Sequence, residues 1–99
     1  MNKNKYGEWE TLNEEQKDLL DEAIIEYLPS RLQRVNSKVS SYGLKHKFEK
    51  ILGFYVSNLD MKEAMIRLEY RNNGNNQNQY YNISSRELKR IDKMLKEGF

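Results

Sequence analysis

Two stretches of helical apolar spacing meet at a single glycine, and this junction constrains the chain more than any other feature. Leu44, Phe48, Ile51 and Leu52 recur at i, i+4, i+7 and i+8 and predict one helix opening at Ser40 or Ser41. Gly53 follows, a residue that accepts the left-handed conformation closing a helix without steric cost. After the short gap Phe54-Tyr55-Val56, Ser57-Asn58-Leu59-Asp60 reads as the start of another helix, with Ser57 as cap and Asp60 reaching back to it. Leu59, Ala64, Met65 and Leu68 are its expected buried stripe. Helix, short glycine turn and helix is the spacing of a helix-turn-helix over residues 41–70.

The flanks extend that unit. Upstream, Thr11-Leu12-Asn13-Glu14 fits a capping box, and Leu19, Leu20, Ala23, Ile24, Tyr27 and Leu28 continue at helical spacing until Pro29 ends the run. Residues 1–10 read as a flexible tail with Trp9 as an anchor. Ser30 to Asn36 reads as one or two further helical turns with Leu32 and Val35 inward. Downstream, residues 70–83 read as a wing. Asn73-Gly74 is a hairpin signal, and Tyr80 or Tyr81 faces inward with Ile83 on the return strand. Ser84-Ser85-Arg86-Glu87 caps a last helix over 85–97, with Leu88, Ile91, Met94 and Leu95 inward and Gly98 beyond its end. The expected fold is mainly α with a small β-hairpin: a winged helix-turn-helix with an added N-terminal helix, one domain over residues 11–99.

Composition supports a lean domain. Leu, Ile, Val and Phe number 23 in 99 residues, near the level below which chains stay disordered, but seven Tyr, four Met and one Trp add bulk. With no Cys and one His, disulfides, thiolate zinc sites, cysteine nucleophiles and His-rich metal sites are excluded. No apolar run approaches the roughly 18 residues of a membrane span, and none follows Met1-Asn2-Lys3-Asn4-Lys5, so no membrane partner, no signal peptide and a cytoplasmic location are expected.

Charge is segregated along the chain. Residues 1–28 carry net −5, residues 29–50 net +5 and residues 51–99 net +2. The basic segment 29–50 holds Arg31, Arg34, Lys38, Lys45, Lys47 and Lys50 against Glu49 alone. Clustered cations attract phosphate backbones, single- or double-stranded, through charge and counterion release; an ordinary solvated face is the plainer reading. On the third helix and just beyond it, Lys62, Arg67 and Arg71 are candidate DNA contacts, but Asp60, Glu63 and Glu69 cancel them, which argues against strong groove reading. The wing holds six Asn and two Gln between residues 72 and 82, as a solvated loop would. Tyr42, Phe54, Tyr55, Tyr80 and Tyr81 either complete a thin core or stack on unpaired bases; Tyr80 is included among the nucleic-acid candidates. Phe54, Tyr55, Met61 and Ile66 carry more apolar surface than one stripe can bury. Met61 and Ile66 lie about 140° apart on a helical wheel, so one is expected outside as a partner contact. The acidic first helix reads as a solvated face rather than a metal site. No catalytic residues and no cofactor are expected.

Residues 41–49 (Ser-Tyr-Gly-Leu-Lys-His-Lys-Phe-Glu), 53–58 (Gly-Phe-Tyr-Val-Ser-Asn) and 62–65 (Lys-Glu-Ala-Met) carry a resemblance. This stretch resembles a family of short proteins carried by mobile elements of Gram-positive bacteria, among them the small "middle protein" of staphylococcal cassette chromosome replication operons. There the family lies between genes for a family-A DNA polymerase and a helicase. The resemblance implies a small subunit that binds the polymerase and helps it start DNA strands without a primer. It implies no catalytic residues and says nothing of the Asn-rich wing. Two other functions fit the same residues: a stand-alone transcription regulator, dimeric through Leu88, Ile91 and Leu95 of the last helix, and an interaction module that inhibits a nucleic-acid enzyme.

Overall fold

Four helices each begin on a polar side chain that accepts a backbone N–H, and these caps set the element order. The computed structural model describes residues 9–74 and 77–98. It consists of α1 (Glu14–Tyr27), α2 (Ser41–Leu52), α3 (Asn58–Arg67), β1 (Asn72–Gly74), β2 (Gln79–Tyr81) and α4 (Ser85–Glu97). The caps are Asn13, Ser40, Ser57 and Ser84. At α3 the predicted box forms as read: Ser57 accepts from the Asp60 N–H, and Asp60 accepts from the Ser57 N–H, both at 3.0 Å. Gly53 closes α2 in the left-handed region at φ 80°, its N–H donating to Glu49 O.

The α1 cap differs from the expected one. Asn13 and Gln16 form the reciprocal pair, not Thr11 and Glu14. Thr11 instead makes a contact far along the chain. Its N–H donates to the Asp60 carboxylate at 3.0 Å and its hydroxyl to the same group. One carboxylate thus both starts α3 and fastens the chain ahead of α1 to it. The tail expected over residues 1–10 lies outside the described residues as far as residue 8. Trp9 is exposed, and the Glu10 carboxylate holds Lys17 at 2.7 Å.

The helical turns expected after Pro29 are absent. Residues 32–36 instead run beside β2, with a bend at residues 33 and 34. The Leu32 N–H donates to Asn82 O, the Asn82 amide returns a bond to Leu32 O, and the Asn36 N–H donates to Tyr81 O. Asn36 and Tyr81 form an antiparallel bridge on the edge of β2 opposite β1. A two-stranded hairpin leaves an edge unpaired, and this stretch supplies the partner, overriding a weak local preference. Leu32 consequently faces solvent rather than the core.

The hairpin is also shifted. Asn73-Gly74 does not form the turn; it ends β1, with Asn73 opposite Tyr80 and Gly74 opposite Gln79. Gly74 has φ 126°, and a Cβ there would meet Asn78 O at 2.4 Å, so the glycine is needed in the strand. Tyr81 and Ile83 face inward as expected, and Tyr80 is half-exposed.

The core joins all four helices to the hairpin: Leu20 and Ile24 of α1, Leu44 and Phe48 of α2, Met61 and Met65 of α3, Ile91 of α4, and Tyr81. Tyr70 is buried and its hydroxyl donates to Leu28 O at 2.6 Å, satisfying a carbonyl at the end of α1. In the α3 stripe Ala64 and Met65 are buried as expected and Leu68 packs half-buried against the core, while Met61 takes the buried place expected of Leu59, which is half-buried. On α4, Leu88 and Ile91 are buried in the chain's own core and Leu95 packs against it. Leu88 and Ile91 are thus used within the chain itself, and of the three residues read as a dimer contact Leu95 alone is half-exposed.

Candidate nucleic-acid interface

The outward arc of α4 is the largest candidate feature absent from the contacts expected above. Arg86, Lys89, Lys93 and Lys96 recur at spacings of 3, 4 and 3, which places them within about 80° on the helix, and Arg90 borders them. Leu88, Ile91 and Leu95 lie on the opposite side. All five basic residues are exposed, and Glu97 is the acid among them. The spacing is visible in the sequence; it was masked by a modest net charge over residues 51–99.

The packing of α4 on α2 turns this arc into the wall of a groove. One hollow of about 220 Å³ is lined by Lys38, Val39, Lys47, Ser85, Leu88, Lys89 and Asp92. A second, of about 340 Å³, shares Lys47 and Asp92 and adds Gly43, His46, Lys50, Leu95 and Lys96. Asp92 pairs with Lys47. Lys38, Lys50, Lys89 and Lys96 therefore stand over an apolar floor with one carboxylate among them, an arrangement that concentrates positive potential.

The predicted contacts divide into three groups. Lys38, Lys47 and Lys50 meet in this groove. Arg31, Arg34 and Arg71 are exposed around the crossing of residues 31–34 with residues 69–71. There Arg31 lies 4.3 Å over the Tyr70 ring and donates to Glu69 O, and Arg71 donates to Gln33 O at 2.5 Å. Tyr80 stands half-exposed on β2.

The third group requires correction. Lys45 and Lys62, expected as exposed contacts, are each 5% exposed. Lys45 donates to Glu49 at 2.7 Å, and Lys62 donates to Gln77 O in the hairpin at 3.0 Å. Arg67 is turned toward α1, where it makes two hydrogen bonds to the Asp21 carboxylate at 2.8 and 3.1 Å. That bond, ahead of partial burial that opposes it, raises the Arg67 pKa.

α3 is thus engaged from two sides. Asn58 donates to Gln77 O at 2.7 Å, fixing the hairpin loop over the helix start. Glu63, Ile66 and Arg67 face a cleft shared with Glu14, Lys17, Asp18 and Asp21 of α1. Within it Lys17 has a raised pKa, from its bond to Glu10 above all. The Glu63 carboxyl is also raised, first by burial and then by the charge of Glu10. This cleft is acidic, and its two cations are both ion-paired.

The four predicted partner contacts separate as well. Met61 is fully buried and is removed from the set, whereas Ile66 is 54% exposed. Phe54 packs half-buried against the core. Tyr55 is exposed on a different surface, beside Lys45, whose ammonium lies 4.7 Å from the Tyr55 ring centre and 5.5 Å from that of Tyr42. His46 meets Tyr42 edge-on at 4.6 Å. Glu49, which holds Lys45, has a lowered pKa: burial pushes it up, but the Lys45 bond, the Val56 N–H and the nearby charges together outweigh burial.

Among the described residues no group of three or more His, Cys, Asp or Glu side chains is placed to hold a metal ion, and no helix is long and apolar enough to cross a membrane. Comparison of the chain with known protein families, curated proteins and solved structures gives no match.

Proposed function

We propose that this protein is a non-catalytic accessory subunit that binds DNA mainly through its backbone and works beside a larger replication enzyme, a DNA polymerase. The observation that carries the DNA reading is the α2–α4 groove, where Lys38, Lys50, Lys89 and Lys96 surround the single Lys47–Asp92 pair. Phosphate backbones need clustered cations and no particular base geometry, which is what the groove offers. The fold is read as a winged helix-turn-helix. The order helix, bridging stretch, helix, helix, hairpin, helix supports this, together with the pairing of the stretch around Asn36 on β2.

The polymerase partner is supported by the resemblance of residues 41–65 to mobile-element replication proteins, and mobile-element DNA replication with unprimed strand initiation is the process it points to. Ile66, exposed in the acidic α1–α3 cleft, is the partner contact in this reading. A sequence-specific regulator fits less well, because Lys62 and Arg67 of α3 are already committed to Gln77 and Asp21.

The test is reconstitution with the polymerase encoded on the same element, on unprimed single-stranded DNA. Complex formation and strand initiation are expected with the wild type. Ile66→Lys should lose the complex and keep DNA binding, whereas Lys89→Glu with Lys96→Glu should do the reverse. No complex at micromolar concentration together with no DNA binding would end this reading.

A further inference from the structure

Tyr42 and Tyr55 are 53% and 60% exposed, the most exposed aromatic side chains among the described residues. They come from different elements, the first turn of α2 and the turn after Gly53, yet both face the ammonium of Lys45. Lys45 is held in turn by Glu49, so the rings share a fixed cation rather than moving independently. His46 extends the row, edge-on to Tyr42.

Tyr42, His46 and Lys50 follow at i, i+4 and i+8, so one face of α2 runs from an exposed ring into the basic groove. Around the rings Lys45, His46 and Lys50 stand against one carboxylate, Glu49, which is taken up by Lys45 and His46, and this suits a polyanion that carries flat π-faces. Duplex DNA hides its base faces inside the stack; unpaired bases expose them.

We propose that Tyr42 and Tyr55 form a stacking platform for unpaired bases of single-stranded DNA, whose backbone continues past Lys50 and Lys47 into the α2–α4 groove. This deepens the DNA-binding reading above and rests on it, adding strand preference and the residues that set it. It also moves Tyr55 from the protein-partner surface to the nucleic-acid surface.

The experiment measures binding of the whole protein to a labelled oligothymidine of about 15 nucleotides, and to a duplex of the same length, by fluorescence anisotropy. Wild type should prefer the single strand. Tyr42→Ala and Tyr55→Ala should each weaken single-strand binding about 10-fold, while duplex binding changes less than about 3-fold. Tyr42→Phe and Tyr55→Phe keep the π-face over Lys45 and should bind and melt as wild type; the alanine variants lose a cation–π contact and should melt slightly lower but remain folded at the assay temperature. Lys47→Glu with Lys50→Glu should weaken both ligands. Full single-strand affinity in the double alanine variant, with the lysine variant impaired, would overturn the platform and leave the DNA-binding reading standing. Loss of polymerase capture in the alanine variants with DNA binding intact would assign the rings to a protein surface and overturn it too. Absence of any DNA binding by the wild type would overturn both readings.

Discussion

The cleft between α1 and α3 and the groove between α2 and α4 are built alike, each from two helices meeting over one small core, and they carry opposite charge. In the cleft, Glu14, Asp18, Asp21 and Glu63 outnumber Lys17 and Arg67, and both cations are bound to carboxylates. In the groove the proportions reverse, and one carboxylate, Asp92, faces Lys38, Lys47, Lys89 and Lys96. Exposed ion pairs contribute little stability. The pairs in the cleft matter by using up its cations, Lys17 of α1 and Arg67 of α3, whereas in the groove α4 contributes Lys89 and Lys96 against Asp92 alone. The free cations therefore gather on the side formed by the second and fourth helices rather than on the third, and the proposed DNA-binding face follows them.

The largest effect should come from α3, which walls the cleft on one face and enters the core on the other. Met61 is fully buried and Ile66 is exposed in the cleft, five residues apart on one helix. Met61→Lys empties a core position and buries a charge, and should cost about 4 kcal/mol or more, a large part of the 5–15 kcal/mol available to a domain of this size. Ile66→Lys should stay within about 0.5 kcal/mol of wild type. Urea denaturation of both variants decides it, and equal stabilities would mean that the two faces of α3 are not distinguished as described.

A second prediction separates groove from cleft in solution. Lys89→Glu with Lys96→Glu should weaken DNA binding about 10- to 100-fold at low salt, and flatten the plot of log affinity against log salt by roughly 1.5 units for two lost phosphate contacts. Arg67→Glu, in the cleft, should change affinity less than about 2-fold and leave the slope alone, since Arg67 is occupied by Asp21. Titrations at several salt concentrations give both numbers. A larger effect from Arg67 than from α4 would return the interface to the third helix.

What the sequence revealed follows from how local each signal is. The Ser57–Asp60 box and the Gly53 stop are settled within a few residues and were legible. The bridging stretch at 32–36 was not, because Leu32 and Asn36 find their partners about fifty residues away at Asn82 and Tyr81. Lys62 looked like a contact because its acceptor, Gln77 O, belongs to the hairpin and is neither near in sequence nor charged. Lys45 was different: Glu49 stands one helical turn ahead, a pairing that helical spacing alone would have flagged. The basic arc of α4 was likewise legible, in the spacing of Arg86, Lys89, Lys93 and Lys96.

The joint between the two sides yields a third, smaller effect. Gly53 connects α2, which lines the groove, to α3, which lines the cleft. A Cβ at Gly53 would meet no atom within 4 Å, so the cost of Gly53→Val comes from its φ of 80° alone. A β-branched residue there should cost about 1–2 kcal/mol. Gly53→Asn, which tolerates the left-handed region, should cost less, and equal costs for the two would place the strain elsewhere.

The smallest effect is a difference in sign between two carboxylates, Glu63 in the cleft and Glu49 beside Lys45 on α2. Glu63, in the acidic cleft, has its pKa raised by burial and by Glu10 above the ordinary value of 4.5. The native state therefore binds its proton more tightly than the unfolded chain, and stability falls as pH rises from 4.5 through the raised value. Glu63→Gln removes that cost, so it should raise the melting temperature slightly at pH 7 and change nothing well below pH 4, where the carboxyl is neutral in both states. Glu49, beside Lys45, has its pKa lowered, so its contribution is present above the ordinary value and fades as pH falls through the lowered one. Glu49→Gln should accordingly lower the melting temperature at pH 7, with the difference from wild type shrinking on acidification. Thermal melts of both variants and wild type from about pH 3 to pH 7 read the two signs directly. The same sign for both would show that burial does not govern Glu63, or that the Lys45 and Val56 bonds do not outweigh burial at Glu49.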